Sequence, residues 1–262
     1  MDLQIKQKKA FVSGSSQGIG FAIAKTLAAE GAQVILNGRH ADKLKLAKDK
    51  ILAQYPTADV SVFCADLSVA ASTERLLAEH PTLDILVNAL GIFEPKDFLD
   101  ISDDDWRRFF DVNVLTGARL SRAYLPAMQA NNWGRIIFIS SESALQIPLE
   151  MIHYGTTKTA QLAVSRGLAE VCAGTGITVN AVLPGPTRSE GVVDFVKEVS
   201  GGLGIDAVED EFFKSARPSS LIKRFADPQE VANMVVYLCS PLASATTGAA
   251  VRVDGGVVRS CV

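Results

Sequence analysis

Short runs of Val, Ile, Leu and Phe that do not alternate with polar residues recur along this chain, and amphipathic stretches of helical period separate them. A strand without alternation is covered on both faces. Strand–helix alternation of this kind builds one parallel sheet with helices on either side. The runs predict strands over 9–13, 32–37, 60–63, 83–88, 135–140, 178–183 and 250–253. Amphipathic patterns predict helices over 18–29, 41–54, 103–114, 118–130, 154–173 and 228–239, with a short one before Leu83. The expected fold is therefore α/β, a doubly wound parallel sheet of about seven strands in one domain over 1–262. One stretch, Gly185 to Pro218, breaks the pattern with Gly, acids and Phe. An excursion of that length in a compact domain reads as a substrate lid.

Composition narrows the function. At 262 residues with 48% hydrophobic and 21% charged, the chain is long enough to bury a full core and too apolar for disorder. Its formal charge of −3 shows no basic excess, which argues against a nucleic-acid partner, and Lys43 to Lys50 read as the wet face of a helix. No run of eighteen apolar residues argues for a membrane span, and the N-terminus lacks the apolar core of a secretory signal, so a cytoplasmic protein is expected. Cys64, Cys172, Cys239 and Cys261 have neither metal-ligand nor disulfide-framework spacing.

The turn after the first run reads Ser13-Gly14-Ser15-Ser16-Gln17-Gly18-Ile19-Gly20. Gly14 permits a tight turn, and Gly18 and Gly20 let the backbone approach a pyrophosphate at the helix N-terminus. Gly-rich turns end many strands, so the pattern alone is weak. Its place in the first strand–helix unit points to dinucleotide binding and a Rossmann-type sheet. The second strand ends Leu36-Asn37-Gly38-Arg39, with no acid before Asp42. An acid there takes the ribose hydroxyls of NAD, whereas Arg39 offers a charge-assisted fork to the 2′-phosphate of NADP. NADP(H) is the preferred cofactor. NAD(H) is the alternative if Arg39 is only a solvated surface side chain.

Tyr154-Gly155-Thr156-Thr157-Lys158 puts a phenol and an ammonium four residues apart on one helical face. A nearby cation favours the phenolate, so Tyr154 is a candidate proton donor and acceptor for a carbonyl/alcohol pair. The context adds Ser140-Ser141 at the end of the fifth strand and Asn88-Ala89-Leu90-Gly91 at the end of the fourth. Asn113 lies in the helix that follows. Strand ends on one edge of a parallel sheet converge on a ligand crevice. With these motifs in this order from Lys9 to Asp254, the chain resembles the short-chain dehydrogenase/reductase family of Rossmann-fold oxidoreductases.

The resemblance implies roles residue by residue. Tyr154 matches the catalytic acid/base, and Lys158 the residue that lowers its pKa and holds the nicotinamide ribose. Ser141 matches the serine on the substrate oxygen, and Asn113 the asparagine that orders a relay water. Gly14, Ser16, Gln17, Gly18, Ile19 and Gly20 fall in the pyrophosphate turn. Asp66-Leu67 matches the step that contacts adenine, and Asn88 and Gly91 the motif beside the adenosine ribose. Pro184, Gly185, Thr187 and Ser189 fall where the family contacts the nicotinamide carboxamide and phosphates.

Departures from the pattern are Ser13 for Thr, Ala89-Leu90 for Asn-Ala, which removes one buttressing amide, and a short interval from Asp66 to Asp84 that implies a trimmed third helix. The family usually forms symmetric tetramers, so a homo-oligomer, dimer or tetramer, is expected, with the tail Val257 to Val262 a candidate contact.

The expected activity is NAD(P)(H)-dependent interconversion of a carbonyl and a secondary alcohol. The preferred substrate is a small or medium apolar ketone or alcohol, in keeping with Leu145, Ile147, Leu149 and Met151 before Tyr154. The alternatives are a 3-oxoacyl-carrier-protein reductase or, from another class, a non-catalytic dinucleotide-binding scaffold or sensor. Against an acidic carrier, 188–217 holds seven acids and four bases. Several side chains carry two readings. Phe195, Phe212 and Phe213 line a pocket or pack the lid. Arg188 meets a substrate carboxylate or the pyrophosphate. His153 is expected on the pocket wall, and Trp106 and Trp133 between helices.

Overall fold

The computed structural model describes residues 2–199 and 204–261. Within them seven strands form one sheet: β1 (Lys9–Val12), β2 (Gln33–Gly38), β3 (Val60–Cys64), β4 (Ile85–Asn88), β5 (Gly134–Ile139), β6 (Ile177–Pro184) and β7 (Ala250–Val253). Their order is β3-β2-β1-β4-β5-β6-β7, and every pair is parallel. The chain runs outward from β1 to β3, returns to β4 beside β1, and then runs outward the other way. The crevice at that reversal, between β1 and β4, is where such sheets bind ligands.

Two buried clusters explain the non-alternating strands. Ala10, Val12, Ile85, Val87, Ile137 and Ile139 face one cluster, packed with Ile23 and Leu27 of α1 (Gly18–Ala29). Their neighbours Phe11, Leu86, Ile136 and Phe138 face the other, packed with Leu76, Tyr124 and Met128. The period of two is intact, but both faces need apolar side chains. The remaining helices to the end of β4 are α2 (Ala41–Gln54) and α3 (Ala70–Glu79), whose ten residues fit the short Asp66–Asp84 interval.

Two expectations change after β4. The helices expected over 103–114 and 118–130 form one rod. The rod is α4 (Asp103–Phe110), a π-helical turn Asp111–Leu115, and α5 (Thr116–Ala130). Thr116 Oγ1 donates to the Asp111 carbonyl at 3.0 Å across this wide turn, and the wide turn carries Asn113. Such turns break helical period locally, which is why the sequence reads as two helices. The following helix, α6, covers Ile152–Val171, two residues earlier than predicted at each end.

The expected lid is not an irregular excursion. It carries α7 (Glu190–Val199) and α8 (Ile205–Ser215) ahead of the last helix, α9 (Pro228–Leu238). Val196, Ile205, Phe213 and Phe225 give the segment a small core of its own, with Phe212 stacked on Phe225 at 5.0 Å. Phe212 and Phe213 thus pack the segment. The Phe195 side chain and residues 200–203 lie outside the described residues, as does Val262 of the tail. No helix among the described residues is long and apolar enough to cross a membrane.

Ser13, in place of Thr, keeps a hydroxyl at the end of β1. Its buried Oγ accepts from the Ala89 amide at 2.9 Å and the Leu90 amide at 3.0 Å, and donates to the Val87 carbonyl at 3.3 Å. One hydroxyl therefore ties the end of β1 to the end of β4. Ser13→Ala leaves two amides without their acceptor and is expected to cost about 1–3 kcal/mol in urea unfolding. A change below about 0.5 kcal/mol would show that water replaces the hydroxyl.

Candidate active site

The turn between β1 and α1 is closely packed backbone. Gly14 sits at φ +63°, and its amide donates to Asn37 Oδ1 at 3.2 Å. Asn37 Nδ2 bonds the Phe63 and Ala65 carbonyls, so the amide fastens the ends of β2 and β3 to the turn. A methyl at Gly20 would collide with the Gly14 carbonyl oxygen, which is why α1 can begin this close to β1. Gln17, at the N-cap of α1, makes no side-chain cap, and the Gly18 amide instead donates to Glu190 Oε2 at 2.7 Å. The helix start thus holds an anion, and that anion is the carboxylate opening α7. Ser189 packs beside Gly18.

Around the end of β2, Ser16 lies against Gly38, and Arg39 is 66% exposed with Nη1 3.8 Å from Asp66 Oδ2. Burial raises the Asp66 pKa. The Ser68 hydroxyl, the Ser68 amide and Arg39 outweigh it and leave the carboxyl below its usual range. Leu67 is buried in the core, so its side chain is turned away from the crevice mouth. Asn88 Nδ2 reaches Ser121 Oγ at 3.4 Å, and its buried Oδ1 has no partner among the described residues. Thr187 Oγ1 donates to the Gly185 carbonyl at 2.9 Å, and Gly185 presses against the Asp254 backbone beyond β7.

The chemical centre forms where the ends of β4 and β5 face α6. Lys158, buried one turn beyond Tyr154, donates from Nζ to the Ile139 carbonyl at 2.9 Å and lies 3.5 Å from Gln161 Oε1. A methyl at Gly91 would lie 3.3 Å from that Nζ and 3.4 Å from Asn113 Oδ1. Asn113 Oδ1 accepts from the Ile92 amide at 2.8 Å, while Nδ2 donates to the Ile92 carbonyl and to Thr157 Oγ1, both at 3.0 Å. The Asn113 carbonyl accepts from Gln161 Nε2. Gln161 therefore bridges Asn113 and Lys158. Tyr154 is within hydrogen-bond reach of Ser141, and its ring meets Phe93 edge-on at 6.5 Å.

The electrostatics differ from those predicted by the Tyr154–Lys158 spacing. Burial pushes the Tyr154 phenol well above its usual range; the Ser141 hydrogen bond lowers it, Glu142 raises it and Arg217 lowers it. Lys158, expected to lower it, is not among these influences. That ammonium lies 5.5 Å from the Tyr154 ring centre and is aimed at the Ile139 carbonyl. Burial also pushes Lys158 down, to about 8.

One further expectation is corrected. His153 is not on the pocket wall. It is wholly buried, 4.0 Å from the Phe109 ring centre and 6.2 Å from that of Trp106, and burial lowers its pKa. Arg188 pairs with Asp206 and Glu209 of α8. The sequence reading missed Glu142, Arg217 and Gln161. Glu142 was readable as an acid next to Ser141, and Gln161 as a polar residue on the Lys158 face of α6. Arg217 carries no such signal, because only the course of the chain after α8 brings it to Glu142.

A family model described as enoyl-(acyl carrier protein) reductase matches residues 14–258. An uncharacterized oxidoreductase YvaG of Bacillus subtilis is 47% identical and covers 99% of both chains. The 3-oxoacyl-[acyl-carrier-protein] reductase FabG of Aquifex aeolicus is 32% identical over 98% of this chain and all of its own. Among solved structures, L-sorbose reductase of Gluconobacter frateurii, complexed with NADPH and L-sorbose, superposes with a TM-score of 0.91. It is 32% identical over 99% of this chain and all of the other.

The buried ammonium makes a stability prediction. Its folded pKa lies below the ordinary lysine value of 10.5, so between about 8 and 10.5 the unfolded chain holds more protons and stability rises with pH. From pH 7 to pH 9.5 the Lys158 contribution should grow by about 2 kcal/mol, and Lys158→Met should remove that growth in paired urea titrations. Parallel pH curves for the two proteins would show an ammonium already solvated in the fold.

Proposed function

The chain belongs to the short-chain dehydrogenase/reductase family of oxidoreductases, and on that premise we propose that it is an NADP(H)-linked enzyme interconverting a ketone and a secondary alcohol. The observation that carries the reading is Tyr154 in reach of Ser141, with the buried Lys158 ammonium one helical turn away.

The residues fit the cofactor. The α1 start already holds a carboxylate on the Gly18 amide, so a pyrophosphate oxygen finds a donor there once Glu190 leaves. Gly14, Ser16, Gln17, Ile19, Gly20 and Ser189 surround that position. Exposed Arg39, which follows the Gly38 that Ser16 touches, is the group for a 2′-phosphate, with Asp66 near the adenosine. Lys158 holds the nicotinamide ribose, and Gly91 leaves the space for it. Thr187, with Pro184 and Gly185, borders the nicotinamide end. A bound nicotinamide supplies or accepts the hydride.

In reduction, Ser141 orients the substrate oxygen and Tyr154 delivers the proton to it as the carbon becomes an alcohol carbon. Oxidation reverses both roles. A phenol raised by burial keeps its proton until charge develops on the substrate oxygen, which suits a proton donor. Asn113 fixes the wide turn opposite Lys158 through Ile92 and Thr157. The segment from 185 to 218 acts as the lid.

A free ketone is favoured over a carrier-bound one. Two of the four bases in 188–217, Arg188 and Arg217, are taken by the chain's own acids, so little positive charge remains for an acidic carrier. Half-exposed Leu145 and Ile147, and more exposed Leu149, supply apolar surface.

Tyr154→Phe is expected to lower kcat at least about 100-fold while NADPH binding, read by fluorescence titration, stays within about twofold. Full turnover in that variant would end the mechanism. The same titration should favour NADPH over NADH, and Arg39→Ala should weaken NADPH about tenfold without affecting NADH. Equal binding of both cofactors would make Arg39 a bystander. Binding of neither would favour a scaffold that does no chemistry.

A further inference from the structure

Beside Ser141 lies a buried ion pair that the steps above do not use. Glu142 is 5% exposed and Arg217 is 9% exposed. Glu142 Oε2 accepts from Ser141 Oγ at 2.5 Å, from the Ser143 amide at 2.9 Å and from Ser143 Oγ at 3.2 Å. Glu142 Oε1 accepts from Arg217 Nε at 3.2 Å. Arg217 also donates to the Ala216 carbonyl, lies 3.6 Å from Glu150, and has its guanidinium 5.9 Å from the Phe212 ring centre. A buried ion pair adds little stability beyond well-packed apolar residues, so stability alone is a weak reason for this one.

Its contact with Ser141 has a chemical consequence. A serine hydroxyl has one proton, and Ser141 gives its proton to the Glu142 carboxylate in a short, charge-assisted bond. A plain ketone brings no donor to the carboxylate. It must either take that donor from the carboxylate, leaving it Ser143 and Arg217, or react without a hydrogen bond from Ser141. A substrate with a hydroxyl on the carbon next to its carbonyl brings a replacement donor. That hydroxyl bonds Glu142, and Ser141 turns its proton to the carbonyl oxygen.

Resting on the oxidoreductase reading above, we propose that Glu142, held by Arg217, is a specificity-determining residue that selects α-hydroxy ketones, and the vicinal diols they form. The apolar surface of Leu145 and Ile147 takes the rest of the molecule. A 2-oxo acid is disfavoured, because its carboxylate would face Glu142.

The test compares three four-carbon substrates in NADPH oxidation: 2-butanone, 3-hydroxy-2-butanone and 2-oxobutanoate. The hydroxy ketone is expected to exceed 2-butanone in kcat/KM by at least about 100-fold. Glu142→Gln is expected to cut that ratio at least tenfold, because a neutral amide holds the added hydroxyl less strongly than the carboxylate does. If Glu142→Gln does not fold, the wild-type ratio decides by itself. Equal rates, or a preference for 2-butanone or 2-oxobutanoate, overturn the proposal and leave the oxidoreductase reading standing. Turnover of none of the three by a chain that binds NADPH also overturns it. A chain that binds no nicotinamide cofactor removes the underlying reading and the proposal together.

Discussion

Parallel pairing of every strand is the constraint on which the site depends. In a parallel sheet all carboxyl ends leave by one edge, and each returning helix presents its N-terminus there. The order β1-β4-β5-β6 therefore brings Ser13, Asn88, Ser141 and Pro184 to one rim, though up to 171 positions separate them in the chain. The rim is then fastened by polar side chains. Ser13 ties β1 to β4, and Asn37 ties β2 and β3 to the turn before α1. These bonds are buried or partly buried, and they fix the strand ends to one another.

Within that rim the buried Lys158 ammonium lacks an acidic partner. Lys158 faces a carbonyl and an amide oxygen rather than a carboxylate, and burial pulls it down to about 8. Burial holds the Tyr154 phenol in its protonated form. Both shifts oppose charge, but at neutral pH only that of Lys158 weighs on folding, because the phenol is protonated in the unfolded chain as well. Groups kept against their solvation preference are a mark of functional sites, where stability is given up for chemistry. Gln161 spans the space between Lys158 and the Asn113 carbonyl, so a side-chain amide joins these two groups.

The segment carrying α7 and α8 reaches the rim through ionic contacts at both ends of the crevice. Glu190 sits on the Gly18 amide, and Arg217 on Glu142 beside Ser141. Between them, Arg188 pairs with α8. The small aromatic core of Phe212, Phe213 and Phe225 gives the segment internal cohesion. Its hold on the rim at these two points is thus electrostatic.

The fold was legible because burial on both faces writes non-alternating apolar runs into the sequence, and most element boundaries followed within about two residues. The wide turn at Asn113 was not legible, because a π-turn leaves no period of its own. The helices α7 and α8 were hidden among acids and glycines, since their apolar positions serve a core of only a few side chains. Of the site, the sequence by itself determined which residues stand at strand ends and which lie one turn apart on α6, because pleat and helical pitch are local geometry. Tertiary structure decided what each of those groups faces. It aimed Lys158 at the Ile139 carbonyl, buried His153 against Phe109, and brought Arg217 across 75 positions to Glu142. Electrostatic environment depends on distance in space and on exclusion of water, and neither is a function of spacing along the chain.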